Sequence, residues 1–99
     1  MAGRHQLGKH TVAAESFLAD SLMGTCGVTV SAGDCERGQK GSWDLPAAAF
    51  EQGWVSAVSA CLERCSRCSR CRNVTVSLRM RDCSWYHSCD GFSAAASFR

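Results

Sequence analysis

The chain has 99 residues, of which eight are cysteine and 45% are hydrophobic, and a formal net charge of +2. This length holds one domain and excludes a barrel or doubly wound enzyme, while the hydrophobic share argues against disorder. No apolar run is long enough to span a bilayer, and the charge is too mild for a general nucleic-acid binder.

Residues 1–23 read as an N-terminal arm. The first ten hold two histidines, two glycines and two cations. Arg4 and Lys9 precede Glu15 and Asp20, which interrupt any apolar core of a signal peptide. The chain is therefore expected to be a mature fragment of a larger precursor. Val12, Phe17, Leu18, Leu22 and Met23 give an amphipathic pattern that predicts a short helix over Thr11–Met23, with Thr11 as its cap.

Residues 24–91 read as the structured domain. Thr25–Ser31 alternates, with Cys26, Val28 and Val30 on one face, which predicts a strand. Ala32-Gly33-Asp34 is turn chemistry, and Cys35–Gly41 is a polar loop. Asp44-Leu45-Pro46 opens the strongest segment, Asp44 as an acceptor for free N–H groups and Pro46 with its helical φ already set. Phe50, Trp54, Val58, Cys61, Leu62, Cys65 and Cys68 then recur at three- and four-residue steps, predicting one amphipathic helix with Gly53 in its interior. Val74, Val76, Leu78 and Met80 alternate with Thr75, Ser77, Arg79 and Arg81 in a second strand. Asp82 marks a turn or bulge. A third strand places Cys83, Trp85, His87 and Cys89 on one face, and Asp90-Gly91 ends it. Residues 92–99 read as a mobile tail. The class is α+β: a small disulfide-rich domain whose antiparallel sheet has one main helix packed across it.

The cysteines carry the strongest signal. Eight in so short a chain, Cys26, Cys35, Cys61, Cys65, Cys68, Cys71, Cys83 and Cys89, point to four disulfides and an oxidising compartment, extracellular or lumenal. Helical neighbours at i,i+3 or i,i+4 stand about 5–6 Å apart at Cβ, too far for a disulfide. Cys61, Cys65 and Cys68 are thus expected to bond outward, to Cys26, Cys35, Cys83 and Cys89. Zinc is the rival, with Cys68-x2-Cys71 completed by Cys83 or Cys89 near His87, but a second proper ligand pair is missing. An iron–sulfur cluster fits the spacing less well. No metal or cofactor is assigned.

Ala60-Cys61-Leu62-x-x-Cys65-x-x-Cys68 on a helix, an alternating strand, then Cys83-Ser84-Trp85-Tyr86 resembles the PAN/apple family of extracellular modules. The run Asp82–Tyr86-x-x-Cys89 is also similar to cysteine-rich segments of algal and protist proteins. The resemblance covers about residues 54–90 and departs at Cys71 and at the Cys-Ser-Arg repeat. It implies a sheet of five or more antiparallel strands cradling one helix, and binding of proteins or glycans without catalysis. The algal likeness implies a small accessory subunit docked on a larger membrane-associated assembly, such as a photosynthetic complex.

Asn73-Val74-Thr75 is an N-glycosylation sequon. Arg64, Arg67, Arg70, Arg72, Arg79 and Arg81 are six of the eleven cations. Of these, Arg64 and Arg67 on the helix, with Arg79 and Arg81 on a strand face, are the candidate patch for an anionic partner; the bland alternative is a solvated face. Trp43 and Tyr86 are the exposed candidates for sugar stacking, whereas Trp54 and Trp85 fall on core faces. No Gly-x-Ser-x-Gly, His-Glu-x-x-His or phosphate loop occurs, and a pairing of His87 with Cys83 or Cys89 requires a free thiol. The sequence therefore predicts a non-enzymatic binding module for a protein or anionic glycan, with the accessory subunit and a zinc-stabilised interaction module as alternatives.

Overall fold

The computed structural model describes residues 12–89, 91–95 and 97–99. The arm over 1–10, the Thr11 cap and Asp90 lie outside the described residues. Helix α1 covers 12–20, and the chain continues through β1 (Gly24–Thr25), β2 (Lys40–Ser42), α2 (Ala47–Glu51), α3 (Trp54–Ser66), β3 (Asn73–Ser77), β4 (Asp82–Tyr86) and β5 (Ser93–Ala94). The α+β architecture is as the sequence predicts, with one main helix on an antiparallel sheet.

That sheet has three strands in the order β2-β4-β3, and β1 pairs with β5 as a separate two-stranded ribbon. The larger single sheet implied by the PAN/apple resemblance is not formed by the described residues. In the β3–β4 register Val74 stands opposite Trp85 and Val76 opposite Cys83, so these four share the face that α3 covers. Ala57, Val58, Cys61, Val76, Cys83 and Trp85 are fully buried between helix and sheet, and the Cys61–Cys83 disulfide ties the two layers. Ala14 of α1 joins the same core.

Thr25–Ser31 departs from the sequence reading. Only Gly24–Thr25 is strand, and Gly27 then takes a φ of 139° that breaks the extended run. The face predicted to be buried is turned outward, with Val28 78% and Val30 92% exposed. The polar residues face in instead. Tyr86 donates its hydroxyl to the Gly27 carbonyl at 2.6 Å, and Thr29 meets the Ser84 hydroxyl at 2.7 Å. This segment thereby covers the second face of the sheet, where Thr75, Ser77 and Ser84 are buried. A polar lining wins here because hydroxyls that find partners avoid the cost of burial.

β2 begins inside the predicted polar loop over 35–41 and escaped the reading because Lys40-Gly41-Ser42 shows no apolar alternation. Pairing creates it: Gly41 stands opposite Trp85. A Cβ at Gly41 would run into the Ala32 carbonyl and the Trp85 indole nitrogen, and that indole donates to the Ala32 carbonyl at 2.9 Å. Glycine is what lets the tryptophan reach across.

The predicted long helix is two helices. Gly53 has φ 100° and ψ −175°, a backbone region open essentially to glycine alone, and it ends α2 and caps α3 rather than lying inside a helix. Pro46 occupies the cap of α2, and no side chain, Asp44 included, bonds that cap. The second predicted strand stops at Ser77, and residues 78–81 form a turn in which Arg81 takes φ 50°. The third ends at Tyr86, not Cys89.

Nor is the C-terminal stretch a loose tail where it is described. Beyond the β1–β5 pairing, Gly24 donates to the Phe98 carbonyl, and Arg99 exchanges both backbone hydrogen bonds with Val76, at 2.8 and 2.9 Å.

Candidate binding site

The eight cysteines form Cys26–Cys89, Cys35–Cys68, Cys61–Cys83 and Cys65–Cys71. Cys61 and Cys68 bond outward as expected. Cys65 does not, because α3 ends at Ser66 and two tight turns, Cys68 N–H to the Cys65 carbonyl and Cys71 N–H to the Cys68 carbonyl, fold Cys71 back beside it. With every thiol paired, the zinc alternative loses its thiolate ligands. The suggested nucleophile pairing of Cys83 or Cys89 with His87 loses its thiol in the same way. His87 instead places Nδ1 3.0 Å from the Arg70 carbonyl.

That contact belongs to a junction between the turn after α3 and the 35–39 loop. Arg70 Nε donates to the Gly38 carbonyl at 3.0 Å, Ser69 donates to the Cys35 carbonyl at 2.7 Å, and Cys35–Cys68 closes it covalently. The second unit of the Cys-Ser-Arg repeat is consumed there. The first unit stays on α3: Ser66 donates to the Glu63 carbonyl, and Arg67 pairs with the Glu63 carboxylate at 2.8 Å.

The four candidate arginines do not meet. Arg64 and Arg67 occupy the end of α3 and the residue after it. Arg79 and Arg81 lie in the 78–81 turn, and the Arg81 guanidinium is 3.7 Å from Glu51, which precedes α3. Ten residues of helix, about 15 Å at 1.5 Å per residue, separate Trp54 from Arg64. The sequence places Arg79 and Arg81 on a strand face; the early turn removes that face. Arg64 is held 5.5 Å over the ring of Trp43.

The sugar-stacking candidates are buried. Trp43 is 7% and Tyr86 2% exposed. Trp43 stacks on Trp85 with 6.1 Å between ring centroids, which contributes about 0.5–1.5 kcal/mol beyond area burial. Asn73 is exposed at the start of β3, whereas Thr75, the hydroxyl residue of its sequon, is buried.

The arrangement does create an open groove of about 670 Å³ along the outer side of α3. Leu45, Pro46, Val55 and Ala60 supply its apolar floor, Ser56 and Ser59 its polar wall, and Glu63, Arg64 and Arg67 one charged end. Buried Trp43 anchors the 45–46 strap, and the bend at Gly53 turns α2 against α3. The floor residues escaped the sequence reading because Leu45 and Pro46 precede α3 and none of the four carries chemistry of its own. Small side chains at helical spacing beside them, Ser56, Ser59 and Ala60, were the available signal.

No protein-family model, curated protein or solved structure matches the chain. Four disulfides suit an oxidising compartment, and among the described residues no helix is long and apolar enough to cross a membrane.

Proposed function

We propose that the chain is a non-enzymatic, disulfide-stapled binding module of the extracellular space or an oxidising lumen, and that it holds an acidic amphipathic segment of a partner protein along α3. The α3 groove carries this reading. It is open and floored by small and apolar side chains, and it ends in two cations against one carboxylate. A partner's apolar side chains would be desolvated on Val55, Ala60 and Leu45, while its acids meet Arg64 and Arg67. The PAN/apple resemblance points the same way, toward protein binding without catalysis. A protein partner suits the groove better than an anionic glycan, because the four arginines are dispersed. The accessory-subunit reading draws on a separate observation, the exposed Leu22, Met23, Val28, Val30 and Phe92.

Titration with an amphipathic peptide bearing leucines at i, i+3, i+4 and i+7 and glutamates between them tests the assignment. Backbone amide shifts should concentrate over residues 55–67, and Ser56→Trp, which fills the groove from a partly exposed site, should abolish them at an unchanged thermal midpoint. Equal binding by a scrambled peptide, or the same shifts with heparin, would overturn the protein-segment assignment.

A further inference from the structure

A second cleft, of about 340 Å³, lies between α1, the end of α3 and the start of β3. Its floor includes the outer edge of β3. Val76 uses its N–H and C=O on Arg99, on the side of β3 away from β4. In an antiparallel ladder the backbone groups two residues along point to the same side, so those of Val74 face outward too, into the cleft. Val74 is only 8% exposed, and among the described residues none hydrogen-bonds its N–H or C=O. An unpaired N–H and C=O on a strand edge are a template for pairing with another chain.

The surroundings state what would satisfy them. Phe17, Leu22, Leu62 and Phe92 line the cleft, and Leu22 and Phe92 remain 69% and 44% exposed although both are apolar. Among the described residues no acid lines it. Arg72 and Arg99 are its charged residues, and the Arg99 guanidinium lies over the Trp54 ring, 6.0 Å from its centroid, which leaves Arg72 as the exposed cation of the cleft. An open strand edge beside apolar walls and an exposed cation is the arrangement that strand addition uses, with backbone bonds for affinity and side-chain pockets for choice.

We propose that the β3 edge at Val74 receives an extended acidic segment of a partner protein as an added strand. One of the segment's apolar side chains enters between Phe17 and Phe92, and a carboxylate meets Arg72. This surface is independent of the α3 groove, so either stands if the other fails.

The probe is an acetylated hexapeptide of alternating valine and aspartate, titrated into the oxidised protein with Asn73 unmodified. Amide shifts should cluster at residues 72–76 and 92, and exchange of the Val74 amide should slow at saturation. N-methylation of the two central peptide bonds removes the one N–H of the pair that faces the Val74 carbonyl, since successive amides of a strand point to opposite edges, and should weaken binding about fivefold. Arg72→Glu, a change at an exposed side chain, should weaken it as well with the thermal midpoint retained. Equal affinity of the N-methylated peptide, unchanged exchange at Val74, or shifts confined to residues 55–67 would each overturn the proposal. Self-association that protects Val74 without peptide would replace the partner by a second copy, and so overturn the proposed occupant.

Discussion

Asp82 shows how a single position in this fold is balanced. It opens β4 opposite Ser77, half-buried, and its carboxylate accepts from the Ser84 hydroxyl at 2.7 Å. Ser84 has one hydrogen and spends it there, so Thr29 must be the donor in the 2.7 Å contact between the two hydroxyls. Burial pushes the Asp82 carboxyl above its ordinary value of 3.8, and the Ser84 hydrogen bond offsets part of that rise. A raised acid binds its proton more readily in the folded than in the unfolded chain. Between 3.8 and the raised folded value, stability therefore falls as pH climbs, and the loss is complete above that window. Asp82→Asn keeps an acceptor for Ser84 but does not titrate. Its stability relative to the parent should rise from acid to neutral pH and then level off, as read from denaturant midpoints across the pH series. A difference independent of pH would remove Asp82 from the pH dependence.

At the scale of elements, the break between α2 and α3 decides where the binding groove lies. A Cβ at Gly53 would meet nothing within 4 Å, so any cost of a side chain there is backbone strain alone. Gly53→Ala should destabilise by about 1–3 kcal/mol, the range for a non-glycine residue in such a region. Inside a continuous helix the same change would instead stabilise by about 1 kcal/mol. The sign of the change in thermal midpoint therefore separates a hinge from a helix interior. The exposed Arg67–Glu63 pair, by contrast, contributes little, as surface ion pairs generally do.

The whole molecule depends on its crosslinks, which differ in reach. Cys26–Cys89 spans 63 residues and Cys65–Cys71 only 6. In the chain-entropy account the first restricts the unfolded state by about 4 kcal/mol and the second by about 2 kcal/mol. Replacing both partners with serine should therefore lower the urea midpoint more for Cys26/Cys89 than for Cys65/Cys71. The larger loss is expected because the long crosslink also fastens the outward-turned 25–31 segment to the stretch that follows β4. Equal losses would show that local packing, not loop length, sets the contribution of each bridge.

The sequence by itself determined the class, the pairing of all eight cysteines in four disulfides though not their connectivity, and the buried stripe of the main helix. Periodicity and cysteine count report directly which side chains leave water, and Phe50, Val58 and Cys61 did so. It also located the α1 helix and the core of the β3 and β4 strands. Tertiary structure decided the rest. Val28 and Val30 alternate like a buried face, yet the polar second face of the sheet selected Thr29 and the Gly27 carbonyl as its cover. Local alternation reports amphipathicity but not which face meets a polar layer. Trp43 and Tyr86 lay outside any apolar stripe and were buried by contacts far along the chain, with Trp85 and with Gly27. The groove on α3 and the cleft at Val74 are likewise products of assembly, since each gathers residues that are unremarkable in sequence and adjacent only once Gly53 bends the chain and Arg99 meets Val76.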